Sequence, residues 1–242
     1  EPGLRLSPHA GGSELRVVSP EVIPLDEGGL RFRMYYEGVA QAGDEARKDA
    51  GIRSAVSEDG GLVFTPEPGW RLKSLDRTSI NSPRVLPLRD GRTHRMYASV
   101  KGTGIISALS TDGGLSFKVE EGVRIARETA YETDNVFAPE VVSIGDGRRY
   151  RMYYVAIPNP DCAYIMSAVS TDGLTWQKDP LPAIAPGGQW DRVKASEMCL
   201  IELPGGKGYK LLYEGCDGTS EGKRGIWRVA TATAWKPVPP KL

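Results

Sequence analysis

Four stretches of the chain repeat one short pattern and carry a charged residue at the same point of it: Glu21 in SPEV, Arg84 in SPRV, Glu140 in APEV and Glu197 in ASEM. Carboxyls held close together raise one another's pKa, so one can give a proton while another takes one, and a guanidinium among them holds an anion. These are the parts of acid–base catalysis, and the four residues are the catalytic candidates. The plainer reading is that the glutamates were inherited by duplication and only hydrate an opening. Arg84 weighs against it, because it departs from the pattern in the direction that balances charge.

Polar residues just upstream of the same stretches are the candidates for holding a substrate: His9, Asp76, Arg77, Asn81, Asp134, Asn135, Trp190, Asp191 and Lys194. Glu37 in MYYEG and Glu214 in LLYEG join them. Asp134 and Asp191 are the alternative carboxylates if the register of the four stretches is displaced. The charged segment 38–51 between two of the runs reads as a solvated loop first and as a lid second. Tyr35, Tyr97, Tyr153 and Tyr213 share one strand position and read as packing. No Gly-rich phosphate loop, serine nucleophile elbow or HExxH occurs, and no spacing selects a metal. No cofactor is expected, with a cation among the three glutamates as the one opening left.

What must position these residues is a repeat. One copy runs SPEVIPLDEGGLRFRMYY (Ser19–Tyr36) and GIRSAVSEDGGLVF (Gly51–Phe64), a second SPRVLPLRDGRTHRMYA (Ser82–Ala98) and GIISALSTDGGLSF (Gly104–Phe117). The third runs APEVVSIGDGRRYRMYY (Ala138–Tyr154) and YIMSAVSTDGLTW (Tyr164–Trp176), and a weaker fourth covers Ala195–Tyr213 and Gly225–Trp235. Pro20, Pro83, Pro139 and Ser196 lie 63, 56 and 57 residues apart, a period that suits a propeller blade. Each copy breaks into short runs rich in Val, Ile, Tyr and Phe between Gly-containing turns, which predicts antiparallel strands. Residues 1–242 are therefore expected to form a single all-β propeller domain, with repeats over 19–72, 82–126, 138–184 and 195–242. EPGLRL at the start (Glu1–Leu6) matches EPGWRL (Glu67–Leu72), so residues 1–18 are expected to close the last blade beside the C-terminal strand. Four blades are expected, five being the alternative.

Composition narrows the partners. Thirty-one basic and thirty-one acidic side chains cancel without a basic run, which argues against nucleic acid. No stretch approaches the ~20 apolar residues of a membrane helix. Cys162, Cys199 and Cys216 form no CxxC pattern and point to a reducing, cytoplasmic setting. The partner left is a small molecule, with the oligomeric state open.

The stretch VFAPEVVSIGDGRRYRMYYVA (Val136–Ala156) resembles the blade unit of the five-bladed glycosidases, glycoside hydrolase families 43, 32, 68, 117 and 130. The hairpins at Ser57–Phe64, Ser110–Phe117 and Ser170–Trp176 are similar to the Asp-box turns of sialidases, with Asp59, Asp112 and Asp172 as the turn residues. The resemblance implies that Glu140 stands where those enzymes carry an aspartate assisting the acid by position and charge. Ser19, however, precedes Pro20 where they carry an aspartate base or nucleophile, and their Glu-x-Pro acid has no match around Ala195–Glu197. The reading that follows is an enzyme acting on a polar, carbohydrate-like small molecule by acid–base catalysis at an axial channel mouth. The alternatives are a lyase, isomerase or cyclase using the same pocket, or a glycan-binding propeller without catalysis.

Overall fold

Apolar runs punctuated by Gly and Asp turns dictate short antiparallel strands. The computed structural model describes residues 3–8, 16–39, 50–73, 79–144, 148–219 and 225–235. The chain divides into two compact units, Glu1–Ala126 and Arg127–Leu242. In the first, one repeat forms the meander β1 (Arg16–Pro24), β2 (Phe32–Val39), β3 (Ala50–Ser57) and β4 (Thr65–Pro66), with β5 (Leu72–Lys73) returning to pair with β3. The next forms β6 (Ile80–Pro87), β7 (His94–Val100), β8 (Gly104–Ser110) and β9 (Lys118–Val119). The second unit holds β10 (Asn135–Ile144), β11 (Arg149–Asn159), β12 (Cys162–Ser170) and β13 (Gln177–Lys178), then β14 (Lys194–Glu202), β15 (Gly208–Cys216) and β16 (Trp227–Trp235). Its two meanders meet at one parallel pair, Ala163 with Lys194. Among the described residues there is no α-helix, so none long and apolar enough to cross a membrane. The all-β expectation holds, and each repeat folds as one meander. Residues 1, 2, 9–15 and 236–242, on which the closing strand depends, lie outside the described residues, as do 40–49 of the loop read as a lid.

The first strand of each meander is bent by a bulge. Ser19–Pro20, Ser82–Pro83 and Ala138–Pro139 each fall where two residues face one on the partner strand. Proline fits there because a bulge needs no ladder N–H from it. Ser19, Ser82 and Ala138 take φ of 52°, 50° and 49°. A non-glycine residue pays of the order of 1 kcal/mol for that left-handed conformation, so the bend is held by the packing around it.

Three devices recur in the sheets. In each Asp-box hairpin a serine and the following backbone N–H groups bond one carboxylate: the Ser110 hydroxyl at 2.7 Å and the Leu115 and Ser116 N–H groups at 3.1 and 2.9 Å, all to Asp112 Oδ1. For Asp172 the Thr175 N–H leads a similar set and holds the carboxyl down to about 2. Secondly, an arginine of the second strand grips the carboxylate that directly follows the fourth, and a serine of the third shares it: Arg33–Glu67–Ser54, Arg95–Glu120–Ser107 and Arg151–Asp179–Ser167. Thirdly, the Arg5 carbonyl accepts the Phe64 N–H at 2.9 Å and the Arg71 carbonyl accepts the Phe117 N–H at 3.0 Å. The EPGLRL and EPGWRL segments therefore do the same work against successive hairpins.

Between the two meanders of the first unit lie Ile23, Tyr35, Ile52, Ile80, Val85, Met96 and Phe117. The second unit buries Ala138, Val155, Ile165, Met198, Leu211 and Tyr213. Asp112→Asn is expected to lower stability by about 0.5–2 kcal/mol in urea denaturation while leaving ligand binding unchanged, because its bonds are all within its own turn.

Candidate functional site

Every first strand runs from one end of its sheet, where the second strand also finishes, and the Asp-box hairpins lie at the other end. The inner-strand candidates sit along the first strands. In the first unit the Arg84 guanidinium pairs with the Glu21 carboxylate, the contact that charge balance leads one to expect. Glu21 Oε1 also accepts the Val85 N–H at 3.3 Å. Burial pushes the Glu21 carboxyl up, and Arg84 with the Val85 and Val22 N–H groups pulls it back only in part.

In the second unit Glu140 is buried, and its Oε1 accepts the Leu200 N–H of the next first strand at 2.9 Å. The two glutamates thus repeat one sideways bond, from a first strand to a backbone N–H of its neighbour. Val85 directly follows Arg84, so Leu200 marks Cys199 as the matching residue of the fourth repeat. The ladder agrees: Glu21 faces Tyr35, Glu140 faces Tyr153, and Cys199 faces Leu212, the counterpart of Tyr35 when MYYEG is laid on LLYEG. This corrects the expectation for Glu197, which falls in the bulge between Ser196 and Met198, side chain exposed, two residues ahead of the shared position. The fourth repeat has no proline to fix the alignment, which is why its sequence misleads.

The same register corrects Tyr213, which matches Tyr36 and Tyr154 rather than Tyr35. The Tyr154 hydroxyl donates to Glu132 at 2.7 Å and the Tyr213 hydroxyl to Asp191 at 2.8 Å. Each carboxylate also binds backbone N–H groups of its own connector: Glu132 those of Glu128 and Thr129 at 2.9 and 3.0 Å, Asp191 that of Gly188 at 2.8 Å. Asp191 is therefore a buried clasp of the connector, and burial, with the bond to Asp191 adding to it, pushes the Tyr213 hydroxyl up to about 12. Glu132, which sequence reasoning missed, is fully buried and also receives Lys178 Nζ at 2.8 Å. Burial alone would raise its pKa, but Lys178, the Glu128 N–H and Tyr154 outweigh it and leave the carboxyl lowered. One of two glutamates inside RETAYETD, it carries no periodic signal that could have marked it.

The remaining candidates are scattered. Asp134 is exposed and Asn135 half-buried at the start of β10. Asn81 is half-buried in β6 and bonds Ser79 and Ser82 at 3.4 Å. Trp190 is 50% exposed with the Arg228 guanidinium 4.8 Å from its ring, and Lys194 stands 5.9 Å from the ring of Trp227. Arg228 is aimed by the buried Asp217 at 2.6 Å; Asp217 lies between the two motifs of the fourth repeat and was not foreseen. Glu214 is exposed, whereas Glu37 is half-buried and burial raises its carboxyl despite the pull of Arg16. Glu37 lies two residues beyond Tyr35, the partner of Glu21, so Glu21 and Glu37 stand on one face of the β1–β2 ladder. His9, Asp76 and Arg77 lie outside the described residues. Among the described residues no three His, Cys, Asp or Glu side chains cluster as metal ligands, and Cys162, Cys199 and Cys216 are free thiols.

No family model matches the chain, and no curated protein sequence does. Solved structures do. A thermostable family-43 glycoside hydrolase superposes with a TM-score of 0.67 at 18% identity, over 93% of this chain and 73% of that one. Cellvibrio cellulosa alpha-L-arabinanase complexed with arabinohexaose gives 0.65 at 11% identity, over 90% and 73%. An N-acetylgalactosamine deacetylase from F. plautii, in complex with blood group B trisaccharide, gives 0.65 at 15%, also over 90% and 73%. At these identities the likeness fixes the fold: that of the β-propeller glycosidases, which the blade motifs resemble.

Proposed function

We propose that the chain acts on a polar, carbohydrate-like small molecule by acid–base chemistry of the glycosidase kind, with Glu21 and Glu37 as the working carboxyls of the first unit. The observation that carries this reading is that both are raised by burial and stand on one face of one ladder, with Arg84 against Glu21. A raised carboxyl keeps its proton at higher pH and can give it to a leaving oxygen; a guanidinium beside it steadies charge that develops there. The fold shared with a family-43 glycoside hydrolase and an arabinanase supports a carbohydrate as substrate, by analogy.

One set of observations favours a second reading, binding without turnover. Ser19 holds the place of the aspartate expected before Pro20, and Glu21 and Glu140 each give an oxygen to a neighbouring strand. A panel of 4-nitrophenyl glycosides, read for both turnover and calorimetric binding, separates the two. Turnover that falls in Glu37→Gln supports the enzyme; saturable binding with no turnover supports the binding propeller; neither on any sugar overturns both.

A further inference from the structure

The two units treat the same interface differently. In the first, the hairpin of the second repeat plugs the space beside the first: Arg33 donates to the Gly113 carbonyl at 2.7 Å and Tyr35 to the Gly114 carbonyl at 3.1 Å. Gly114, at φ 83°, is required there because any Cβ would collide with the Tyr35 hydroxyl. Arg151 and Tyr153 are the counterparts in the second unit, but the fourth repeat has lost the Ser-x-Asp-Gly turn. Its third strand runs on as Ala230-Thr231-Ala232-Thr233-Ala234-Trp235. With no turn to fill the space, a cleft of about 870 Å³ opens between the β10–β13 and β14–β16 meanders, at the end of the sheets away from the inner-strand starts.

The walls of this cleft say what it would take. Tyr153, Trp176, Tyr209 and Trp235 are among the residues that line it, and four aromatic side chains in one cleft favour a flat aromatic body. Two cations reach it, Arg151 and Arg149. Arg151 is held by Asp179 at 2.6 Å, whereas exposed Arg149 makes no ion pair among the described residues. Burial raises the Tyr153 hydroxyl, which keeps it a neutral donor across the ordinary pH range. The volume falls within the ~300–1,000 Å³ of small-molecule sites. We infer that this cleft is a second binding site, for a small aromatic carboxylate whose ring lies among Tyr153, Trp176, Tyr209 and Trp235 and whose charge meets Arg149.

The probe is 2-naphthoate, with the neutral 2-naphthalenemethanol as its charge-free twin, titrated into the full chain by calorimetry and tryptophan quenching. Saturable binding of naphthoate is expected, weakened about fivefold or more in Arg149→Glu, with the alcohol unaffected by that substitution. Tyr209→Ala should weaken both probes, provided its circular dichroism matches the parent. Binding of naphthoate should not be displaced by any sugar that binds the chain. No saturable binding, or equal naphthoate affinity in Arg149→Glu and parent, overturns the inference. So does naphthoate binding that appears only in a chain ending at Trp235, because the cleft is then filled by the protein itself.

Discussion

Glu132→Ala is expected to destabilise the fold by about 3–5 kcal/mol, the usual cost of removing one partner of a buried ion pair. The carboxylate is fully buried and ties together four groups: the N–H groups of Glu128 and Thr129, the Tyr154 hydroxyl and Lys178 Nζ. Its loss takes the buried carboxylate from the Lys178 ammonium, which is only 13% exposed and also meets the exposed Glu128 carboxylate at 3.1 Å. Against a total stability of about 5–15 kcal/mol this is a large fraction. Tyr154→Phe, which removes one bond and keeps the carboxylate, should cost less, about 1.5–3 kcal/mol. The pH dependence separates charge from packing. The folded carboxyl is lowered below the ordinary 4.5, so its contribution is complete above that value and fades as pH falls through the folded pKa. Urea midpoints measured from pH 7 to pH 3 should converge for parent and Glu132→Gln at the acid end; parallel curves would mean that Glu132 acts by shape alone.

How much of this was written in the sequence depends on whether a residue belongs to the repeat. The strands, the Asp-box hairpins and the EPGLRL match were legible because each recurs with the same turn chemistry, and repetition filters chance. Glu21 against Arg84 was legible for the same reason: a shared inner-strand position brings its occupants to neighbouring strands, and opposite charges there pair. Glu197 was misplaced because bulge register is set by how many residues face one partner, not by letters, and the fourth repeat lacks the proline that anchors the other three. Glu132 and Asp217 were invisible for a different reason. Their roles come from connector backbone that folds back onto them, and such contacts follow no period. Asp191 shows both sides: it was visible as a polar residue before an inner strand, yet its bonds to Gly188 and Tyr213 make it a clasp.

The second large effect concerns chemistry. Glu21→Gln is expected to reduce turnover of whichever glycoside the chain cleaves by ~10²-fold or more, with substrate affinity changed little. Glutamine keeps the size of glutamate, and its single carbonyl oxygen can still accept from Arg84 or from the Val85 N–H, so one of the two bonds that tie β1 to β6 is kept while the other is lost. What it cannot do is give a proton. Because burial outweighs Arg84 and leaves the Glu21 carboxyl raised, the protonated form reaches to higher pH than an ordinary glutamate allows. Activity should therefore fall on the alkaline side as pH rises through that raised value, and this limb should vanish in the residual activity of Glu21→Gln. Arg84→Lys tests the other half: a lysine keeps the charge but not the planar fork, so the loss should appear chiefly in kcat if the guanidinium steadies the transition state, and in KM if it only holds the ground state. Unchanged kcat in Glu21→Gln at every pH would leave Glu21 with its sideways bond alone, and the carboxyl chemistry would then have to rest on Glu37.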